Sequence, residues 1–404
     1  MRTPFHMPRT VPGSVWLSCS YFWYLAAIGC LGPYIGLYYR LLQLNGVQIG
    51  FLVAIPPLGI AVLAPLWGGF ADTYSAHRLV LRATLLTAAL SALLIAWTTS
   101  FVPLLLLTVL LACCLAAIPS LLDSYAVTIS ERSGLSYGQF RVWGTIGFIV
   151  GVWFVGWQMG QHISHFFLLA YTATLLITCG ATFGLPPLRR SSTQPMWECV
   201  SEILHDRSVT LVLLTSFLVI GNATMMGSYF GIYLTEIGGT VRLVGTASVL
   251  AAVSEVPIML FGRRFIERFS SRKILIFAVA MYTIRLLLYS LPPAAAWVVW
   301  VQLLHGMSFG LYLMASVTLV HQLAGRERAA TAQGLLSSSS QGFGAITGAL
   351  IGGVLLDQMG AVGIMRAASV GMFVALAICL WGGQIVMARQ AATKSLLQPS
   401  QEQR

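Results

Sequence analysis

"ILIFAVAMYTIRLLLYSL", residues 274–291, is an almost unbroken apolar run with one arginine, Arg285, well inside it. At a helical rise of about 1.5 Å per residue, such a run nearly crosses the roughly 30 Å hydrocarbon core of a bilayer. A guanidinium stranded there costs at least about 2.5 kcal/mol, so Arg285 needs a partner or a water-filled neighbour. Whether it finds one depends on the rest of the chain.

Runs of the same kind fill the sequence. Of its 404 residues 57% are hydrophobic and 9% charged, and its mean hydropathy is +0.82, whereas a soluble domain carries about 25% charged residues. Stretches long enough to span a membrane occur near 15–38, 47–70, 79–98, 101–127, 140–158, 164–185, 209–235, 242–262, 274–291, 294–320, 332–356 and 362–386. The chain therefore reads as an all-α membrane protein with twelve transmembrane helices.

The net charge of +11 raises nucleic acid as a partner, but its distribution argues against it. With the N-terminus in the cytoplasm, 18 of the 23 Lys and Arg fall on cytoplasmic segments. Only Arg40, Arg242 and Arg366 lie outside, and Arg141 and Arg285 lie within spans. This is the asymmetry that orients multi-pass proteins, and it predicts both termini in the cytoplasm and contact with anionic lipid heads. The seven cysteines show neither metal nor disulfide spacing and read as small packing residues. "LAAIGC" (25–30) resembles a lipoprotein cleavage box, but apolar sequence runs on through Leu37, so an uncleaved first helix is expected.

The longest polar stretch, 186–208, divides the spans six and six. Within it Met196, Trp197, Val200, Ile203 and Leu204 recur at helical spacing, predicting a short helix on the inner membrane surface. The expected organisation is a six-helix bundle over 1–187, a linker over 188–208, a second bundle over 209–390 and a tail over 391–404. The halves look related. "GGFADTYSAHRLVL" (68–81) and "RRFIERFSSRKILI" (263–276) follow the second and eighth spans at an offset of 195, which also pairs Gly50 with Gly245 and Asp72 with Glu267. "WQMG" (157–160) and "DQMG" (357–360) echo at an offset of 200. Duplicated bundles rocking about a central site are a recurring transporter architecture.

Ionisable residues inside spans mark pathways more often than staples. Glu255, Arg285 and His305 all count to mid-membrane, with Glu255 as countercharge for Arg285 and His305 as a neighbour able to gain or lose a proton near neutral pH. Tyr282, Arg285 and Tyr289 share one side of the ninth span, and Gln302, His305, Ser308 and Tyr312 one side of the tenth, so both faces are expected to avoid lipid. Asp123 and Arg141 lie at matching depths nearer the cytoplasm, and Asn222 in the seventh span is a further candidate. Glycines four apart, Gly147 and Gly151, then Gly344, Gly348 and Gly352, would let helices approach and slide.

With these residues in view, the chain resembles the major facilitator superfamily. The family's cytoplasmic signature, G-x-L-a-D-r-x-G-r-K/R, is matched by Gly68, Phe70, Ala71, Asp72, Ser75, His77 and Arg78, and again by Glu267, Arg268, Ser270, Arg272 and Lys273, with Ser75 and Ser270 in place of the usual glycine. The resemblance implies that these charges hold the two halves together on the inner face. "YGQFRVWGTIGF" (137–148), "SEV" (254–256), Arg285 and "VQLLHG" (301–306) are similar to the proton-symporter branch that contains the lactose permease and the phenylpropionate transporter, the second more than the first. It implies an Asp123–Arg141 pair engaging substrate, and a Glu255, Arg285, His305 network. The acidic carrier one turn after the histidine in lactose permease is Ser308 here, so any proton must use Glu255, Asp123 or His305. The expected function is proton-coupled uptake of a small organic acid, sugar or nucleoside by a monomeric carrier in the inner plasma membrane, with the organic acid favoured and no cofactor or metal.

Three rival readings fit the residues less well. An efflux antiporter of the same superfamily would carry a G-P-x-x-G-G element in the fifth span, where "GTIGFIVGVWFVG" (144–156) has no proline. "GMSFG" (306–310) matches the G-x-S-x-G of serine hydrolases, but a continuous apolar span offers no strand-to-helix elbow. Only Lys273 and Lys394 are lysines and neither follows a phosphate loop, which excludes an ATP-driven pump; "HISH" (162–165) is too sparse for a metal.

Overall fold

The structure, a computed structural model, describes residues 13–133, 135, 137–188, 200–291, 294–325 and 328–397. Six long helices, Ser14–Leu41, Gly46–Thr73, His77–Ala96, Phe101–Ser133, Tyr137–Met159 and Phe166–Ala181, form the first six spans. Arg207–Glu236, Val241–Phe269 and Ser271–Ser290 are spans seven to nine. The tenth joins Ala295–Val301 to Leu311–Ala324 through an irregular segment. Among the described residues, eleven helices are long and apolar enough to cross a membrane. The last of these, Thr331–Gly382, is two spans, because Gly360 turns the chain at φ 69° inside it. Twelve spans result, and the helix of the twelfth continues to Leu397, beyond the expected boundary at 390. Of the predicted surface helix only Val200–His205 is described as helical; Met196 and Trp197 lie outside the described residues.

Local chemistry sets several of the ends. Asn45 and Gln48 exchange side-chain bonds in a capping box at the start of span two. Asp206 accepts from the Ser208 amide (2.8 Å) at the start of span seven, and Thr240 from Leu243 (3.2 Å) at span eight. Prolines 33, 56, 57, 65, 119 and 257 sit inside helices, which membrane spans tolerate because neighbouring elements take up the freed backbone groups.

The duplication is visible in backbone geometry. Ser75 and Ser270, 195 residues apart, have φ of 51° and 68°, and Gly160 and Gly360, 200 residues apart, have φ of 63° and 69°. The glycine stripes also correspond. Gly147 and Gly151 press on the carbonyls of Phe22 and Ala26, joining spans one and five. Gly344 and Gly348 press on Phe217 and Gly221, joining spans seven and eleven. The close approach expected of these stripes is present, and these four glycines close helix pairs inside one bundle, where a Cβ would collide with backbone.

The seam between bundles is made by other glycines. Gly156 faces Gly245, whose Cα would lie 3.2 Å from an added Cβ, Gly50 faces Gly353 (3.1 Å), and Gly231 faces the Pro33 carbonyl (3.1 Å). The Arg242 amide bonds the Gly160 carbonyl (2.8 Å), and Asp357 accepts from the amides of Gly46 (2.6 Å) and Val47 (3.1 Å). All of these lie toward the membrane face opposite the termini. Toward the terminal face, Gly342 still approaches Ala61 at mid-span (3.2 Å).

The signature residues act within their own halves in this state. Asp72 pairs with His77 (2.9 Å), and Arg78 donates to the Leu185 carbonyl. Arg82 donates to Thr182 O (3.2 Å) and lies over the Phe183 ring (3.9 Å). Both arginines thus meet carbonyls at the end of span six, where a helix dipole favours cations. Arg268 lies over Phe269, and Arg272 lines a small niche with Cys379 and Gly382 of span twelve. Gly68 faces open space, and the side chain of Glu267 lies outside the described residues. The expected bridge between halves is corrected accordingly for Asp72 and Arg78, because the bundles meet at the other face.

Candidate functional site

Between the bundles lies a cavity of about 610 Å³, lined from both halves. The first half contributes Leu25, Pro33, Arg141, Thr145 and Phe148. The second contributes Phe230, Ser248, Glu255, Arg285, Gln302, His305, Phe309 and Gln341 among others. The glycine seam caps it on the face opposite the termini, and its lining extends toward the terminal face as far as Arg141, close to the start of span five at Tyr137.

Arg285, only 2% exposed, is held on every side. Its Nη1 lies 2.7 Å from His305 Nδ1, its Nη2 donates to Gln302 Oε1, and its Nε donates to the Tyr289 hydroxyl at 3.2 Å. The rings of Tyr282 and Tyr289 lie 5.6 and 5.5 Å from the guanidinium carbon, close enough for cation–π attraction. The second imidazole nitrogen, His305 Nε2, lies 2.7 Å from Glu255 Oε1. The expectation of a direct Glu255–Arg285 pair is thus corrected: the imidazole stands between them, one ring nitrogen to each.

The donor inventory assigns the tautomer. An arginine N–H can only donate, so Nδ1 must accept, and the ring proton sits on Nε2, donated to the Glu255 carboxylate. A doubly protonated imidazole would turn an N–H toward the guanidinium, donor against donor. The phenyl ring of Phe309 stacks on the imidazole at 5.2 Å and 17°.

Span ten is irregular where this happens. Residues Gln302–Leu304 tighten into a 3₁₀ turn and Gly306–Gly310 widen into a π turn, a pattern frequent at functional sites. Gly306 packs on the Ser254 carbonyl, and a Cβ added at Gly310 would lie 3.3 Å from Ile258 and 3.8 Å from Glu255 Cγ. "GMSFG" is therefore the place where span ten closes on span eight. Ser308 is fully buried and donates to Leu304 O (2.8 Å), away from any catalytic geometry.

Not every candidate reaches the cavity. Asp123 accepts from the Tyr21 hydroxyl at 2.5 Å and is not part of the lining. Asn222 donates to its own helix at Leu218 O (2.8 Å) and packs on Gly371 of span twelve. Tyr282, Tyr289, Ser308 and Tyr312 are buried within the second bundle rather than on a wet face. Hydropathy and spacing do not single out Gln341, Thr145, Ser248 or Tyr21. Phe309 alone carries a signal, standing four residues after His305.

A twelve-span bundle pair around a central cavity, mostly apolar but with Arg141, Glu255, Arg285 and His305 on its wall, is a recurring architecture of secondary transporters. Residues 14–367 match the family described as the MFS_1 like family, and the chain belongs to it, within the major facilitator superfamily. It is 33% identical over 347 residues to a maltose permease of Geobacillus stearothermophilus, covering 85% of this chain and 88% of that one. A probable 3-phenylpropionic acid transporter of Escherichia coli (strain K12) is 24% identical over 326 residues, covering 77% and 83%. In fold it is similar to the crystal structure of the nucleoside transporter NupG, with TM-score 0.80 and 17% identity over 92% of this chain and 98% of that one.

Proposed function

We propose that this carrier takes up a neutral, polyhydroxylated solute of disaccharide size together with a proton. The observation that carries the coupling is the Glu255–His305–Arg285 chain on the cavity wall. A proton arriving on the imidazole sets Nδ1–H against the guanidinium, and one arriving on Glu255 removes the charge that the imidazole N–H is donated to. Either event loosens Arg285 from the wall, so protonation and the shape of the site are linked.

The substrate class follows from what the wall offers. A volume of about 610 Å³ lies within the roughly 300–1,000 Å³ usual for small-molecule sites. Arg285 is engaged with His305, Gln302 and Tyr289, which weakens its claim on a substrate carboxylate. Gln341, Ser248 and Thr145 supply neutral hydrogen-bonding groups, and Phe148, Phe230 and Phe309 supply flat apolar faces. The identity to a maltose permease supports a sugar over the organic acid that the sequence favours.

The Lys and Arg asymmetry supports cytoplasmic termini. The outer seam then faces away from the cytoplasm, and this state is open inward. Both walls of the cavity come from one chain, so a monomer in the lipid bilayer suffices.

Purified protein in liposomes with an imposed pH gradient, acid outside, tests the reading. Labelled maltose should accumulate above its external concentration, collapse when a protonophore is added, and fail to accumulate with Glu255→Gln while still exchanging. Accumulation of uridine or 3-phenylpropionate in its place would overturn the sugar class. Indifference to the gradient would overturn coupling, and substrate extrusion from right-side-out vesicles would establish export.

A further inference from the structure

Ser254 precedes Glu255 on span eight, and its hydroxyl lies against the irregular turn of span ten. The Gly306 amide, which a regular α-helix would point at the Gln302 carbonyl, donates to Ser254 Oγ at 2.9 Å. That hydroxyl donates in turn to Ala251 O at 2.6 Å and stands 3.5 Å from the Gln302 carbonyl. A side chain from one helix is thus inserted into a rung of another, a recognised cause of local unwinding. The glycine is needed for the approach, since a Cβ at 306 would strike the Ser254 carbonyl.

The consequence falls on the two residues at that rung. In a 3₁₀ turn the side chains at i and i+3 eclipse, which brings Gln302 and His305 one above the other. The two terminal nitrogens of Arg285 then meet Gln302 Oε1 and His305 Nδ1 together. In a regular α-helix the pair would fan apart by roughly 60°, since three steps of 3.6-residue helix fall short of a full turn. We propose that Ser254 is a positioning residue for the coupling group: its hydroxyl wedge holds the 302–306 rung open, so that His305 bridges Arg285 and Glu255.

The inference rests on the coupled reading above for its transport consequence, but its geometric part can be tested alone. Ser254→Ala and the near-isosteric Ser254→Cys, a weak acceptor, should let span ten rewind, while Ser254→Thr keeps the hydroxyl. The alanine and cysteine variants should exchange labelled maltose at near wild-type KM, yet lose about tenfold in gradient-driven accumulation and flatten its pH profile. The threonine variant should restore both. In parallel, nitrogen-15 histidine spectra, with His305 assigned by difference against His305→Gln, should show the Nε2–H form in wild type and an averaged or altered tautomer in the alanine and cysteine variants. An unchanged His305 signal in whichever of these two folds overturns the inference, whatever transport does. A wild type indifferent to the pH gradient, with the tautomer still dependent on Ser254, would overturn the coupled reading and leave the wedge standing.

Discussion

His305 Nδ1 and Arg285 Nη1 lie 2.7 Å apart, and this contact is possible only while that ring nitrogen is bare. The opposite ring nitrogen faces Glu255 Oε1 at the same distance. The imidazole therefore has a fixed direction, accepting from a cation and donating to an anion, with neutral Gln302 and Tyr289 completing the hold on Arg285.

That hold depends on the shape of the guanidinium. Arg285→Ala removes the donor to His305, Gln302 and Tyr289 together, and each buried group left unsatisfied costs about 1–3 kcal/mol, less where cavity water substitutes. A loss of about 2–4 kcal/mol in total is expected in denaturant unfolding of the purified protein. Arg285→Lys should fold better but transport no better, because one ammonium does not reproduce a planar fork. Uptake by the lysine variant should stay about tenfold or more below wild type, equivalent to about 1.4 kcal/mol. Wild-type uptake by this variant would show that charge alone suffices.

Ser75 and Ser270 hold positive φ where the superfamily pattern has glycine. Ser270, at φ 68° and ψ 145°, is near a region that essentially only glycine occupies without strain, at a cost of about 1–3 kcal/mol. Ser75→Gly and Ser270→Gly should each raise stability, the second by about 1 kcal/mol after the added chain entropy of glycine is subtracted. Thermal unfolding in detergent checks this, and a fall in stability with Ser270→Gly would mean that the turn is held by other contacts.

These serines also show how far the sequence could be read. Span count, duplication and the positions of Glu255, Arg285 and His305 were legible, because hydropathy and rare charges in apolar runs are local signals. The order of the three was not. Spacing places residues on a regular helix, and span ten is not regular: at its 302–306 rung the Gly306 amide bonds Ser254 across the helix interface, and a π turn follows. Tyr21 meeting Asp123 (2.5 Å) was hidden for the same reason, since the contact joins spans one and four and neither carries a pattern that names the other. The signature charges were legible as a motif, but which partners they take depends on which face of the molecule is closed.

Closure at the face opposite the termini rests partly on Asp357, whose two oxygens accept from the Gly46 and Val47 amides across the seam. A carboxylate at a helix N-terminus contributes about 0.3–1 kcal/mol where exposed. Asp357→Asn should therefore shift the population toward the form open at that face by roughly two- to fivefold. Spin-label distances between the outer ends of spans two and eleven read this directly. A distance distribution identical to wild type would remove Asp357 from the closure.

Glutamine at position 305 separates the structural from the titrating role of the histidine. Its amide has an oxygen to accept from Arg285 and an NH₂ to donate to Glu255, so it copies the neutral tautomer but takes up no proton near neutral pH. His305→Gln should unfold within about 1 kcal/mol of wild type, and maltose exchange should persist. Gradient-driven accumulation should fall about tenfold or more, the wild-type pH dependence should flatten, and the spin-label distances should report the inward-open form. His305→Lys sets an ammonium donor beside the guanidinium and should fail in stability as well as in transport. If the glutamine variant accumulates substrate like wild type, the proposed coupling proton has Glu255 as its only carrier in this chain, and the imidazole serves as the spacer between the two charges.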